Sequence, residues 1–349
     1  METTWIKRFT KSKLFTLLVI LIALVVFFSV WAAAKGLPFF NIKTFVEIGD
    51  LLILSSFLAV GAGFIMVSGN LDLSAAAIGA MAATLTAACM VYWGFNPFVA
   101  IVAGLIAGMA FGLVNAVLVN QFKFPAFIAT MAMAQVIGGV RQWISAPPGK
   151  LEAGPVNVNN AVIKFIGNGK LFDIVPFTLI LAIVVFIIYG LILAKTKFGM
   201  QVYMVGGNPQ AARLSGISPV KTSYILYLNS AFLAGVCGII GMSRINQAST
   251  SALASDQFTG LTAAILGGVS FGGGTGNMAG VFVGLLILKT WDKGTTIINA
   301  NSYLTEVMKG VLLLLALTLD YFSARSASKA VGLIKPARRK RNSPVSDAE

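Results

Sequence analysis

Of 349 residues, 57% are hydrophobic, 11% carry a charge and none is histidine. Soluble domains devote about a quarter of their residues to charge, so the composition excludes a soluble globular protein and points to an all-α, polytopic membrane protein. The net charge of +14 would suggest a nucleic-acid partner in a soluble chain; here it reads as anchoring to anionic membrane lipid, with no nucleic acid expected.

At about 20 residues per crossing, the apolar content allows close to ten helices. Lys7, Arg8, Lys11 and Lys13 precede an apolar run from Leu14 to Ala34. Ala32-Ala33-Ala34 looks like a signal-peptidase site, but the run exceeds the usual apolar region of about 7–15 residues, and a retained first helix is expected. Residues 35–50 form a loop and Leu51 to Val67 the second helix. Ser68-Gly69-Asn70-Leu71-Asp72-Leu73-Ser74 is a polar interruption before a third helix, Ala75 to Tyr92, rich in small residues that permit close helix contact. A fourth helix runs from Pro97 to Leu118 and a fifth from Pro125 to Val140. A long loop, 141–173, leads to a sixth, Ile174 to Ala194, and the loop 195–222 to a seventh, Tyr224 to Met242. Two short apolar segments, Leu261 to Val269 and Met278 to Leu288, flank the glycine-rich joint 270–277. A tenth segment covers Val307 to Tyr321. The chain is thus one transmembrane domain, residues 1–324, followed by a basic tail, 325–349, expected to be disordered. Cys89 and Cys237 each lie in an apolar run and are expected to be small buried hydrophobes.

With ten crossings, the N-terminus, the turn at Lys123, the 195–222 loop and the tail fall on one side and hold 16 of the 26 basic residues. The positive-inside rule makes that side, and both termini, cytoplasmic. Within the loop on that side, Gly206 to Ile217 carries the signals of an independent short helix. Asn208 suits the N-cap, Pro209 the first helical position, and Gly216 the left-handed residue that ends a helix. So short a helix is marginal alone in water and must be braced by its surroundings. It is either a plain connector or a contact element for a partner.

The second and eighth segments run in the same direction, and each ends at a polar, glycine-containing joint. Irregular backbone at membrane depth persists only where protein or a wet cavity satisfies it, so paired interruptions point to a solute pathway; two ordinary interhelical turns explain the pattern equally well. Asp72 either lines such a path or caps the third helix, where a carboxylate favours the N-terminal dipole end. Enzyme chemistry finds little support. No HExxH, CxxC or GxSxG occurs, the glycines 272–276 lack the Lys-Ser/Thr of a P-loop, and Glu306 and Lys309 are spaced to pair with each other. No cofactor is expected.

Three blocks in order resemble the permease subunits of bacterial ABC importers for monosaccharides. They are residues 68–74; Lys195-Thr196-Lys197-Phe198-Gly199 followed by 206–217; and Ala263 to Ser270 with Gly272, Gly273 and Gly280. The resemblance implies a non-catalytic permease in the inner membrane, working with a separate ATPase subunit, a periplasmic or extracellular solute-binding protein and a second permease subunit by alternating access. It implies that the cytoplasmic helix docks into the ATPase, with Pro209, Ala211, Ala212 and Arg213 in contact and Asn208 and Gly216 as caps. The path would run past Asn70, Asp72 and Ser74, with Gly267, Gly268 and Ser270 of the third block. Permeases for branched-chain amino acids, nucleosides or a signalling furanose, and an ion-coupled carrier, are the competing readings.

Overall fold

The computed structural model describes residues 13–150, 152–171, 175–249, 253–301, 303, 305–311, 314 and 318. Lys7, Arg8, Lys11, the tail and much of the tenth segment lie outside the described residues.

The described chain is helical, with two minimal β-ribbons. In order the helices are α1 (Lys13–Ala34), α2 (Ile42–Val67), α3 (Ala75–Val91), α4 (Pro97–Asn120), α5 (Ala126–Ser145), α6 (Ala161–Asn168), α7 (Phe177–Lys195), α8 (Lys197–Gly207), α9 (Pro209–Leu214), α10 (Pro219–Ile245), α11 (Ala254–Leu266) and α12 (Met278–Ile297). Five of them, α1, α2, α4, α7 and α10, are long and apolar enough to cross a membrane. Local chemistry starts many of them. Asn41, Asn96, Asn160 and Asn277 each accept a backbone N–H of the helix they precede, and Pro97, Pro209 and Pro219 occupy the first helical positions.

The bundle has two long enclosed axes, α2 and α10, around which α3, α11 and α12 pack. Helices α1, α4 and α7 are peripheral and show most of their apolar side chains outward, as lipid permits. The small-residue character of α3 works as expected. A Cβ on Gly238 of α10 would lie 1.8 Å from the Gly79 carbonyl oxygen of α3, so the two backbones meet with nothing between them. Cys89 and Cys237 are buried free thiols.

Several helices outrun their apolar stretches. α2 begins at Ile42 instead of Leu51, and α12 continues past Leu288 to Ile297. The reason is that charges beyond the apolar run find partners. Asp50 binds Arg244 of α10, and Glu47 meets Lys293 of α12 at 2.5 Å. Near them, the ribbon Val156–Asn157 pairs antiparallel with Gln247–Ala248, and α6 lies against α10, with Gly167 beside Ser243 and Arg244. These features mark one end of the bundle. The opposite end gathers the 68–74 joint, the Lys123 turn, α8, α9 and the 270–277 joint.

Candidate functional site

At that opposite end the two joints and the loop between α7 and α10 form a single structure. The amide of Gly274 donates to the Val67 carbonyl at 2.8 Å, stitching the second joint to the end of α2. Gly206, in the last turn of α8, sits against both; a Cβ there would lie 1.9 Å from the Val67 oxygen and 2.6 Å from the Gly274 nitrogen. Tyr203 of α8 donates its hydroxyl to the Gly276 carbonyl at 2.5 Å, and burial pushes that phenol above its ordinary pKa. Helix α8 had no counterpart in the sequence reading. It is launched by Thr196, whose hydroxyl accepts from Gly199 N at 3.1 Å.

Helix α9 follows from the signals at its ends. The Asn208 side chain accepts from Gln210 N and Ala211 N, both at 3.0 Å, Pro209 opens the helix, and Gly216 has φ +81°. The amide of Ile217 closes the end on the Ala212 carbonyl at 3.0 Å. Pro209, Ala211 and Arg213 are exposed, whereas Ala212 is buried and anchors the helix instead of facing out. Leu214, which the sequence reading passed over, is the most open large apolar residue among the described residues, 91% exposed. Its signal is an apolar side chain at the end of a helix too short to have an inner face of its own. Arg213, Lys123, Pro209 and Asn70 border a cavity of about 790 Å³ between α9 and the first joint.

From Gly69 the chain does not run along this surface but climbs into the bundle. Asp72 is 2% exposed; one carboxyl oxygen accepts from Ser74 N at 2.9 Å and from the Ser74 hydroxyl at 2.6 Å, and the other accepts from Ser230 of α10 at 2.8 Å. The Ser74 hydroxyl also accepts from Asn115 of α4 at 2.7 Å. Tyr227 donates to the Leu71 carbonyl, Leu73 N to Thr130 of α5, and Gln257 of α11 spans Ala76 N and the Asp72 carbonyl. Four neighbouring helices thus satisfy an irregular segment, which is the condition for such backbone inside a membrane. The eleven residue steps from Pro219 to Ser230 place this point about 16 Å along α10 from that end, at the helical rise per residue.

The second half mirrors this only in part. α11 begins at Ala254, earlier than the Leu261 expected from hydropathy. Its first turn carries Asp256, which binds Ser55 in the middle of α2 and Lys289 of α12 at 3.3 Å. Asp256, Lys289 and Arg141 therefore belong to helices, although each fell outside the apolar segments read from the sequence. The Lys309–Glu306 pair forms at 3.0 Å as expected, and Lys309 also meets Asp292 at 3.1 Å. Of the residues expected along a path, Asn70 alone borders the cavity at the α9 end. Asp72 and Ser74 are enclosed, Gly267 packs on Gly280 of α12, and Gly268 and Ser270 belong to the turn after α11. Among the described residues no cluster of three or more His, Cys, Asp or Glu could hold a metal.

The family model described as branched-chain amino acid transport system / permease component matches residues 46–317. The chain is similar to the ribose import permease protein RbsC of Bacillus subtilis (strain 168), with 32% identity over 269 residues that cover 76% of this chain and 81% of that protein. RbsC of Escherichia coli (strain K12) is 31% identical over 304 residues, 86% of this chain and 92% of that one. The L-arabinose transport system permease protein AraH of the same strain is 30% identical over 289 residues, 82% and 86%. No solved structure matches the chain.

Proposed function

We infer that this chain, which belongs to the branched-chain amino acid transport system / permease component family, is the inner-membrane permease subunit of an ATP-driven importer for a monosaccharide or related small polar solute. The observation that carries the reading is the match across most of both chains to ribose and arabinose permeases.

The chain itself carries the solute pathway, and a separate ATPase subunit supplies hydrolysis. The ATPase grips α9 through Pro209, Ala211, Arg213 and the exposed Leu214, with Asn208, Ala212 and Gly216 holding the helix in shape. Because Gly206 links α8 to the ends of both α2 and the 270–277 joint, a push on α9 is delivered to the two halves of the bundle together. That linkage supports the coupling role over a plain connector. Asn70 borders the inner mouth of the pathway, with Asp72 and Ser74 fixing the segment behind it and Gly267, Gly268 and Ser270 forming the matching turn.

The orientation places α9 in the cytoplasm. Among the described residues no ion pair lies at the α9 end, and Lys123, Lys195, Lys197, Arg213 and Lys221 have no acidic partner, the pattern of an anionic-lipid-facing cytoplasmic surface. About ten crossings, a second permease subunit, and a solute-binding protein delivering to the outer end complete the assembly.

The test is uptake of labelled ribose, arabinose, xylose and fructose by proteoliposomes holding the permease together with its ATPase and solute-binding protein. ATP-dependent uptake of at least one is expected; uptake that persists without the ATPase would establish a carrier instead. The family description favours one second reading, import of a branched-chain amino acid, and labelled leucine in the same vesicles decides it.

A further inference from the structure

Between α3, α5 and the start of α11 lies a cavity of about 700 Å³, within the range of small-molecule sites, that opens on the flank of the bundle. It follows α5 from Phe127 to Gln142, fifteen residue steps and therefore about 22 Å of a hydrocarbon core about 30 Å thick. None of the path residues read from the sequence borders it.

Two features of its wall lack a structural explanation. Arg141 is nine-tenths buried, its Nε is enclosed with no acceptor, and among the described residues its guanidinium makes no ion pair or hydrogen bond. A desolvated cation without a carboxylate is costly unless something else supplies acceptors. Gly138 and Gly139 also line the cavity, in mid-helix, where glycine weakens the helix. A Cβ at either would meet nothing within 4 Å, so close packing does not require them. Both features make sense if the space is meant to be occupied.

We propose that the solute crosses through this cavity, and that Gln135, Arg141 and Gln142 hydrogen-bond a hydroxyl-rich solute that bears no positive charge. The amides of Gln135 and Gln142 both donate and accept, as sugar hydroxyls do, and neither side chain is engaged elsewhere among the described residues. The guanidinium supplies donors only, and the cavity wall holds no carboxylate for an ammonium group. Phe127 and Phe258, 48% and 60% exposed, offer flat apolar faces at its edge. Since acyl chains cannot satisfy Arg141 or the glutamines, the open flank is covered by a second copy of the chain. The assignment rests on the permease reading and names the residues that line its pathway within the membrane.

The test uses the assembled importer in ATP-loaded proteoliposomes with the four labelled sugars. Gly139→Cys is introduced and, after assembly, alkylated with a bulky maleimide; Cys89 and Cys237 are buried and stay unmodified. Labelling is expected to lower uptake at least tenfold while basal ATPase activity holds, and the transported sugar is expected to slow labelling. Gln135→Ala and Gln142→Ala are expected to raise KM several-fold with kcat little changed. Complete labelling with unchanged uptake would overturn the passage alone. Absence of ATP-dependent uptake by the unmodified complex would overturn the permease reading and the passage with it.

Discussion

Replacing Asp72 by alanine separates its two possible roles, because each affects a different measurement. The carboxyl group accepts three hydrogen bonds inside the bundle, from Ser74 N, the Ser74 hydroxyl and the Ser230 hydroxyl. The Ser74 amide cannot turn elsewhere, and an orphaned buried donor costs about 1–3 kcal/mol. The two hydroxyls can rotate toward other carbonyls, so each loses a net bond of about 0.5–1.5 kcal/mol. Together these make the cost of Asp72→Ala about 2–6 kcal/mol. With an unfolding entropy of about 2.1 cal/mol/K per residue over 349 residues, that corresponds to a fall in Tm of roughly 3–8 °C. The buried thiols of Cys89 and Cys237 provide the assay, since a thiol-reactive dye reports their exposure during a thermal ramp in detergent. Asp72→Asn keeps one acceptor in place and should lose less than half as much. If Asp72→Ala melts with the native protein yet abolishes uptake, the carboxyl touches solute and the anchoring argument is wrong.

Two further substitutions address the other ends of the argument. Arg213→Glu combined with Leu214→Asp removes the exposed face of α9 without touching the core, so Tm should stay within about 1 °C while association with the ATPase, followed by co-purification, weakens at least tenfold; unchanged association would place the docking surface elsewhere. At mid-bundle, Lys289→Met leaves Asp256 buried without its cation, since their side chains are 8% and 15% exposed. It should cost about 3–5 kcal/mol, whereas adding Asp256→Leu should recover most of that loss in the same melt. A double variant no more stable than the single one would refute the pairing.

How much of this was legible in the sequence depended on how far the deciding interaction reached along the chain. The caps of α9 lie within nine residues of one another, from Asn208 to Gly216, and the sequence displays them directly. The bond from Gly274 to Val67 joins segments some two hundred residues apart, and neither glycine-rich joint shows, taken alone, that it will meet the other at Gly206. Thr196 is a local signal of the same kind as Asn208, yet α8 escaped notice because its eleven residues carry no apolar run of spanning length.

Charge misled for a physical reason. Hydropathy ends a segment at its first ionisable residue, so Arg141 and Lys289 marked helix ends in the sequence and Asp256 fell outside the eighth segment, while all three sit inside helices in the structure. Asp256 and Lys289 are tolerated there because each neutralises the other across 33 positions of chain, which a window along the sequence cannot see. Arg141 has no such excuse. Its charge is neither at the surface nor paired, and in a membrane bundle that combination persists only where water or solute stands in for the missing partner. The residue hardest to place from the sequence is therefore the one that most narrowly locates the passage.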